Sequence, residues 1–214
     1  MRLSRTRKRN LYVLAVIDYG MGNLRSVTNA LGKLGADAVV TSDRKAIESA
    51  DAIILPGVGA FGRCIENLEK FGLLDYLKAT ILSGKRYLGI CLGMQVLFES
   101  SEEAPGISGM GIFRGTVPRF AEGMKIPHMG WNSIERSKNS AILNGIEENE
   151  YFYFVHSYYC VPAEDSIIAT TTSYGQDFVS SVEKDRIFAC QFHPEKSQRA
   201  GLKLLQNFVN LSTK

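Results

Sequence analysis

Cysteine, histidine and long apolar runs are all scarce in this chain of 214 residues, and each shortage excludes something. The four cysteines, Cys64, Cys91, Cys160 and Cys190, are irregularly spaced and form no C-x-x-C pair. That argues against a disulfide frame and for reduced thiols in a cytoplasmic protein. The only histidines are His128, His156 and His193. None has H-x-x-x-H spacing, so no zinc ligand set is present and neither a metal nor another cofactor is expected. Apolar runs such as Ala52-Ile53-Ile54-Leu55 fall far short of the ~20 residues that span a bilayer, and no membrane association is expected.

Charge is also in short supply once its placement is considered. The net charge is +3, but Arg2, Arg5, Arg7, Lys8 and Arg9 stand in the first ten residues. The remainder carries 20 basic against 22 acidic residues, a net of −2. No basic face for nucleic acid is implied, and none is expected as a partner. The tip lacks the apolar stretch of a secretory signal and is short for a transit peptide. Residues 1–10 are therefore expected to be a disordered basic extension, ahead of one domain over residues 11–214.

What is present is ample core material, 45% of the residues being hydrophobic, enough for a domain that buries roughly 70% of its unfolded surface. Continuous apolar runs predict buried strands over Leu11 to Ile17, Asp37 to Thr41, Ala52 to Leu55 and Tyr87 to Ile90. Helical spacing of Leu24, Val27, Leu31 and Leu34 predicts a helix over Asn23 to Leu34, and a second is expected over Phe71 to Leu82. This alternation predicts an α/β fold: an open, mostly parallel sheet flanked by helices on both faces. The second half reads as strands joined by turns: Gly111 to Val117, Trp131 to Glu135, Tyr151 to Val155, Ile167 to Thr172, Phe178 to Val182 and Ile187 to Gln191. Several are expected to add antiparallel to the sheet. A helix over Gln198 to Leu211 closes the chain.

The strongest local signal is Gly89-Ile90-Cys91-Leu92-Gly93, between a β-run and a helical pattern over Met94 to Glu99. It has the form of a nucleophile elbow with cysteine in place of serine. The flanking glycines avoid clashes where the chain turns sharply. The start of the helix favours a thiolate and offers N–H groups to an oxyanion. Read alone, the motif leaves a buried, inert cysteine open.

A thiol nucleophile usually has an imidazole beside it. His193 in Gln191-Phe192-His193-Pro194-Glu195 follows a strand, and Glu195 can accept the proton of its far ring nitrogen, the logic of a catalytic triad. His128 and His156 are weaker bases, having no acid two residues away. Pro56-Gly57-Val58-Gly59 could supply a second oxyanion donor beside the N–H of Leu92, or be an ordinary βα turn.

Together these residues resemble the class I glutamine amidotransferases. Within them the chain is similar to the glutaminase-subunit family of imidazole glycerol phosphate synthases, from histidine biosynthesis. The shared runs are Val16 to Leu24, Pro56 to Phe61, Leu88 to Gln95, Lys125 to Asn132, Phe154 to Tyr159 and Gln191 to Ser197. The resemblance implies hydrolysis of L-glutamine to L-glutamate and ammonia, with Cys91 attacking the amide, His193 moving the proton and Glu195 behind it. It implies an oxyanion and substrate site of Gly57, Val58, Gly59, Leu92, Gln95, Ser157 and Tyr158. It also implies a heterodimer with a (β/α)8-barrel cyclase subunit that receives the ammonia and switches the glutaminase on. Asn23 and Trp131 would face that partner.

Two rival readings are weaker. Gly20-Met21-Gly22 begins like a dinucleotide fingerprint, but Arg25 stands where a third glycine belongs. A stand-alone cysteine hydrolase on the same fold would not need the subunit-specific runs Pro127 to Asn132 and Val155 to Tyr159.

Overall fold

The computed structural model describes residues 13–121 and 123–212. The expectation for the basic tip, and for Leu11 at the head of the first strand, lies outside the described residues. The first half runs β1 (Leu14–Ile17), α1 (Leu24–Lys33), β2 (Ala38–Thr41), α2 (Arg44–Ser49), β3 (Ala52–Gly57), α3 (Phe61–Lys70), α4 (Leu74–Leu82), β4 (Arg86–Cys91) and α5 (Leu92–Gln95). The second half adds β5 (Ser100–Ser101), β6 (Gly115–Val117), β7 (His128–Ser133), β8 (Glu135–Arg136), β9 (Tyr151–His156), β10 (Val161–Pro162), β11 (Ile168–Tyr174), β12 (Gln176–Lys184), β13 (Ile187–Cys190) and α6 (Gln198–Ser212).

The main sheet has the order β2-β1-β3-β4-β13-β12-β11-β8. The first five strands are parallel, and β12, β11 and β8 continue antiparallel. The α/β class read from the alternating pattern is thus what the chain adopts. Side chains alternate across each strand and so divide between two cores. Ala15, Ile17, Ile53 and Leu55 meet Phe61, Ile65 and Leu68 of α3 and Leu77 of α4. Leu14, Val16, Ile54, Leu88 and Ile90 meet Val27 and Leu31 of α1 and Leu204, Leu205 and Phe208 of α6. Each buried Val, Leu, Ile or Phe among these contributes about 1.5–3 kcal/mol, and truncating Leu31 to alanine would cost about 2–5 kcal/mol.

Helix α1 forms where the apolar spacing places it. The Asn23 side chain caps it by accepting from the Ser26 N–H at 3.3 Å, and Lys33 lies in its last turn, both favourable for the helix termini.

Several elements differ from the sequence reading. Helix α3 was not anticipated, although Phe61, Cys64, Ile65 and Leu68 line its buried face; the expected helix from Phe71 begins only at Leu74. β3 runs on through Pro56 and Gly57, which pair with Ile90 and Cys91, so the loop starts two residues later. The helical pattern over Met94 to Glu99 yields a single turn, α5, because the carbonyls of Val96 and Leu97 are claimed by the N–H groups of Met110 and Ile112. Not every later strand joins the main sheet: β7 and β9 pair as a separate ribbon, and β10, β6 and β5 form a third sheet.

Candidate active site

Cys91 ends β4 with φ 55° and ψ −106°, a positive φ on a residue with a side chain. Such backbone conformations cost on the order of 1–3 kcal/mol and persist where the surroundings impose them. The surroundings here are tight. A Cβ on Gly89 would stand 2.4 Å from the Gly93 carbonyl oxygen, and one on Gly57 would stand 2.5 Å from the Leu92 Cβ. The Gly93 carbonyl is held by the buried Tyr87 hydroxyl at 2.6 Å.

Strand β13 lies beside β4 in parallel register, Cys190 opposite Ile90. That register carries the segment after β13 to the Cys91 corner, across about a hundred positions of sequence. Nδ1 of His193 lies 2.9 Å from Oε1 of Glu195, and both side chains are 1% exposed. The backbone of His193 is pinned to β9: its N–H donates to the Tyr153 carbonyl at 2.9 Å. The Ser197 hydroxyl donates to the His193 carbonyl at 2.7 Å and accepts from the Tyr153 N–H at 3.0 Å. Burial alone would lower the imidazole's pKa, but Cys91 and then Glu195 outweigh it and raise it from 6.5 to about 10. The ring is therefore held in its protonated form beside Cys91 and Glu195.

A cavity of about 240 Å³ opens onto the thiol. Its wall includes Val58, Gly59, Cys91, Leu92, Gln95, Ser157 and Tyr158, so residues singled out from three separate runs meet in one place. Gly57 stands just behind, level with Cys91 in the sheet. Gly59 has φ +105°, a conformation natural to glycine. Asn23 and Trp131 are not part of this wall. Trp131, 46% exposed, and Met129, 61% exposed, project from β7, and Trp131 borders a separate pocket with Tyr151 and Arg199.

The other cysteines differ from Cys91. Cys64, Cys160 and Cys190 are fully buried and unpaired, and burial pushes the Cys64 thiol up to about 12 and the other two well above the ordinary range. They are inert at neutral pH. His128 and His156 are also buried and serve one another. The Tyr158 carbonyl can only accept, so His156 donates from Nδ1 at 2.8 Å; its Nε2 then accepts from His128 Nδ1 at 2.9 Å. His128 Nε2 faces the Asn132 amide nitrogen at 3.3 Å. Burial lowers their pKa values to about 4 for His128 and about 3 for His156, so both are neutral. Among the described residues, no group of three or more His, Cys, Asp or Glu could hold a metal ion, and no helix is long and apolar enough to cross a membrane.

Two residues at the site escaped the sequence reading. Gln191 donates from Nε2 to the Cys91 sulfur at 3.5 Å; its place two residues before His193 in the same run was the available signal. Glu103 lines the cavity and accepts from the Phe61 N–H at 2.7 Å; nothing in its local sequence marks it.

Known proteins resemble this chain in sequence and in fold. The family model described as glutamine amidotransferase class-I matches residues 15–211. The imidazole glycerol phosphate synthase subunit HisH of Methanothermobacter thermautotrophicus is 52% identical over 199 residues, 93% of this chain and 98% of that one. Its counterpart in Aquifex aeolicus is 51% identical over 200 residues, 93% and 97% of the two chains. Among solved structures, a glutamine amidotransferase matches with TM-score 0.74 at 20% identity, covering 94% of this chain and 99% of its own. PurLQS from Thermotoga maritima matches with TM-score 0.72 at 20% identity, covering 94% and 98%. At that identity the solved structures speak for the fold, and the curated relatives for the family. The chain belongs to the class-I glutamine amidotransferases, in the family of imidazole glycerol phosphate synthase HisH subunits.

Proposed function

We propose that the chain hydrolyses L-glutamine through a triad of Cys91, His193 and Glu195, and passes the ammonia directly to a cyclase subunit. The Cys91 thiolate attacks the side-chain amide carbon, and the carbonyl oxygen takes up the negative charge. N–H groups of Leu92 and of the Gly57-Val58-Gly59 loop receive that oxyanion. The imidazolium of His193 gives its proton to the amide nitrogen, ammonia leaves, and a glutamyl thioester remains on Cys91. Neutral His193 then takes a proton from water as the water attacks the thioester, releasing glutamate and restoring the ion pair. Glu195 keeps the Nδ1 proton in place and steadies the imidazolium throughout.

Gln95, Ser157 and Tyr158 hold the glutamine, and the Glu103 carboxylate complements the charge of its α-ammonium group. The exposed β7 face around Trp131, with the Asn23 turn, meets the (β/α)8-barrel partner. Aromatic side chains of this kind are enriched at interface centres. Asn23 caps α1, a task that suits this residue type whether or not the turn is an interface.

The observation that carries the reading is a thiol on a positive-φ corner, open to a cavity of about 240 Å³, with a buried His193–Glu195 pair as its electrostatic partner. A diazoketone analogue of glutamine should label Cys91 alone, at one equivalent, and free glutamine should protect it. Labelling elsewhere, or no protection, would refute the assignment.

A further inference from the structure

The register that brings β13 beside β4 sets Gln191 level with Cys91, one step beyond the pair Cys190 and Ile90. Gln191 is fully buried, and a buried carboxamide is costly unless both of its ends are paired. Both are. Its Oε1 accepts from Nε2 of Gln95 at 3.0 Å, and its Nε2 donates to the Cys91 sulfur at 3.5 Å.

Neighbouring groups fix which end faces which. The Tyr158 carbonyl oxygen can only accept, and it lies 3.2 Å from the Gln95 amide, so the Gln95 atom there is the NH2 group. That same NH2 group reaches Gln191, which must answer with its oxygen. The NH2 group of Gln191 is then left to face the sulfur. The Tyr158 carbonyl is itself held by His156, so the orientation is anchored well beyond the thiol. Flanking Cys190 and Phe192 are fully buried members of the apolar core, and packing alone gives no reason for an amide between them.

We infer that Gln191 is a further residue of the glutaminase machinery: its amide N–H stabilises and aims the Cys91 thiolate, while its oxygen holds Gln95 against the substrate cavity. A hydrogen bond donated to the charged form of an acid favours that form. The inference rests on Cys91 being the nucleophile.

The test uses the full chain in complex with its cyclase subunit. Gln191→Leu and Gln191→Met remove the donor while filling the same space. The rate of Cys91 alkylation by iodoacetamide is followed against pH, with the adduct located by mass spectrometry. Both variants should shift the midpoint upward by about one pH unit and lower kcat for glutamine about tenfold. Circular dichroism checks that the fold is intact. Midpoints equal to the wild type in folded Leu and Met variants would overturn the role of Gln191 and leave the nucleophile standing. Glutaminase activity surviving Cys91→Ala would instead overturn the nucleophile, and this inference with it.

Discussion

Gly93 is pressed against Leu55 so closely that a Cβ on it would stand 1.9 Å from the Leu55 carbonyl oxygen. The contact joins the first turn of α5 to β3 and so fixes how β4 leaves the sheet. Neither Gly89 nor Gly93 adopts a positive φ; that conformation falls on Cys91 itself. The motif's glycines are therefore needed for space rather than for unusual dihedrals, and the strain rests on Cys91.

Gly93→Ala should accordingly destabilise the protein by about 1–3 kcal/mol through overpacking, seen as a Tm lowered by about 2–4 °C for each kcal/mol. It should also cut glutaminase activity about a hundredfold by displacing the thiol. Gly84→Ala is the comparison: its φ is +96° but nothing lies within 4 Å of the added Cβ, so activity should be retained. Equal activity in the two variants would show that the corner tolerates displacement.

The titration of His193 is set by its neighbours. Its pKa is raised to about 10 because Cys91 and then Glu195 outweigh its burial. Removing either should lower it, and Cys91→Ala should lower it more than Glu195→Gln. Nitrogen-15 NMR of labelled histidine reads this directly. A raised folded pKa contributes stability that is fully present below about 6.5 and is lost as pH rises through about 10. Alkaline destabilisation should therefore be weaker in Cys91→Ala than in the wild type.

The sign reverses for the buried pair. His128 and His156 have folded values of about 4 and about 3, depressed by burial. The unfolded chain binds protons below about 6.5 and the folded pair does not, so stability is full above that pH and falls as pH drops toward 4. Each histidine should contribute about 1.4 kcal/mol of loss per pH unit in this window. Urea unfolding at pH 7 and pH 5 should show a fall that is reduced in His156→Leu. An unchanged pH dependence would mean that the pair is not neutral in the folded state.

Trp131 on β7, 46% exposed and edge-on to Tyr153 at 6.1 Å, should matter little to the isolated chain and much to the complex. Trp131→Ala should leave the Tm within about 0.5 kcal/mol of equivalent stability and weaken cyclase binding tenfold or more, about 1.4 kcal/mol or above. Calorimetric titration with the cyclase subunit measures it. Unchanged affinity would place the interface elsewhere.

Periodicity made the parallel half of the sheet legible, because strands buried on both faces leave continuous apolar runs such as Ala52 to Leu55, and α1 had both spacing and a cap. The elbow and the His193–Glu195 pair were legible because each is a short local pattern. The missing parts were non-local. Helix α3 follows a glycine loop and has little apolar content outside its buried face. The truncation of α5 depends on carbonyls taken by Met110 and Ile112. Gln191 and Glu103 gain their meaning only from strand register and cavity shape, which no spacing within one run records.

The most direct test is Cys91→Ala in complex with the cyclase subunit, assayed with glutamine and, separately, with free ammonia. Glutamine-dependent synthesis should fall to background while ammonia-dependent synthesis stays within about twofold of the wild type, since the change removes only a buried sulfur. Glutamine turnover that survives the loss of this sulfur would contradict the account.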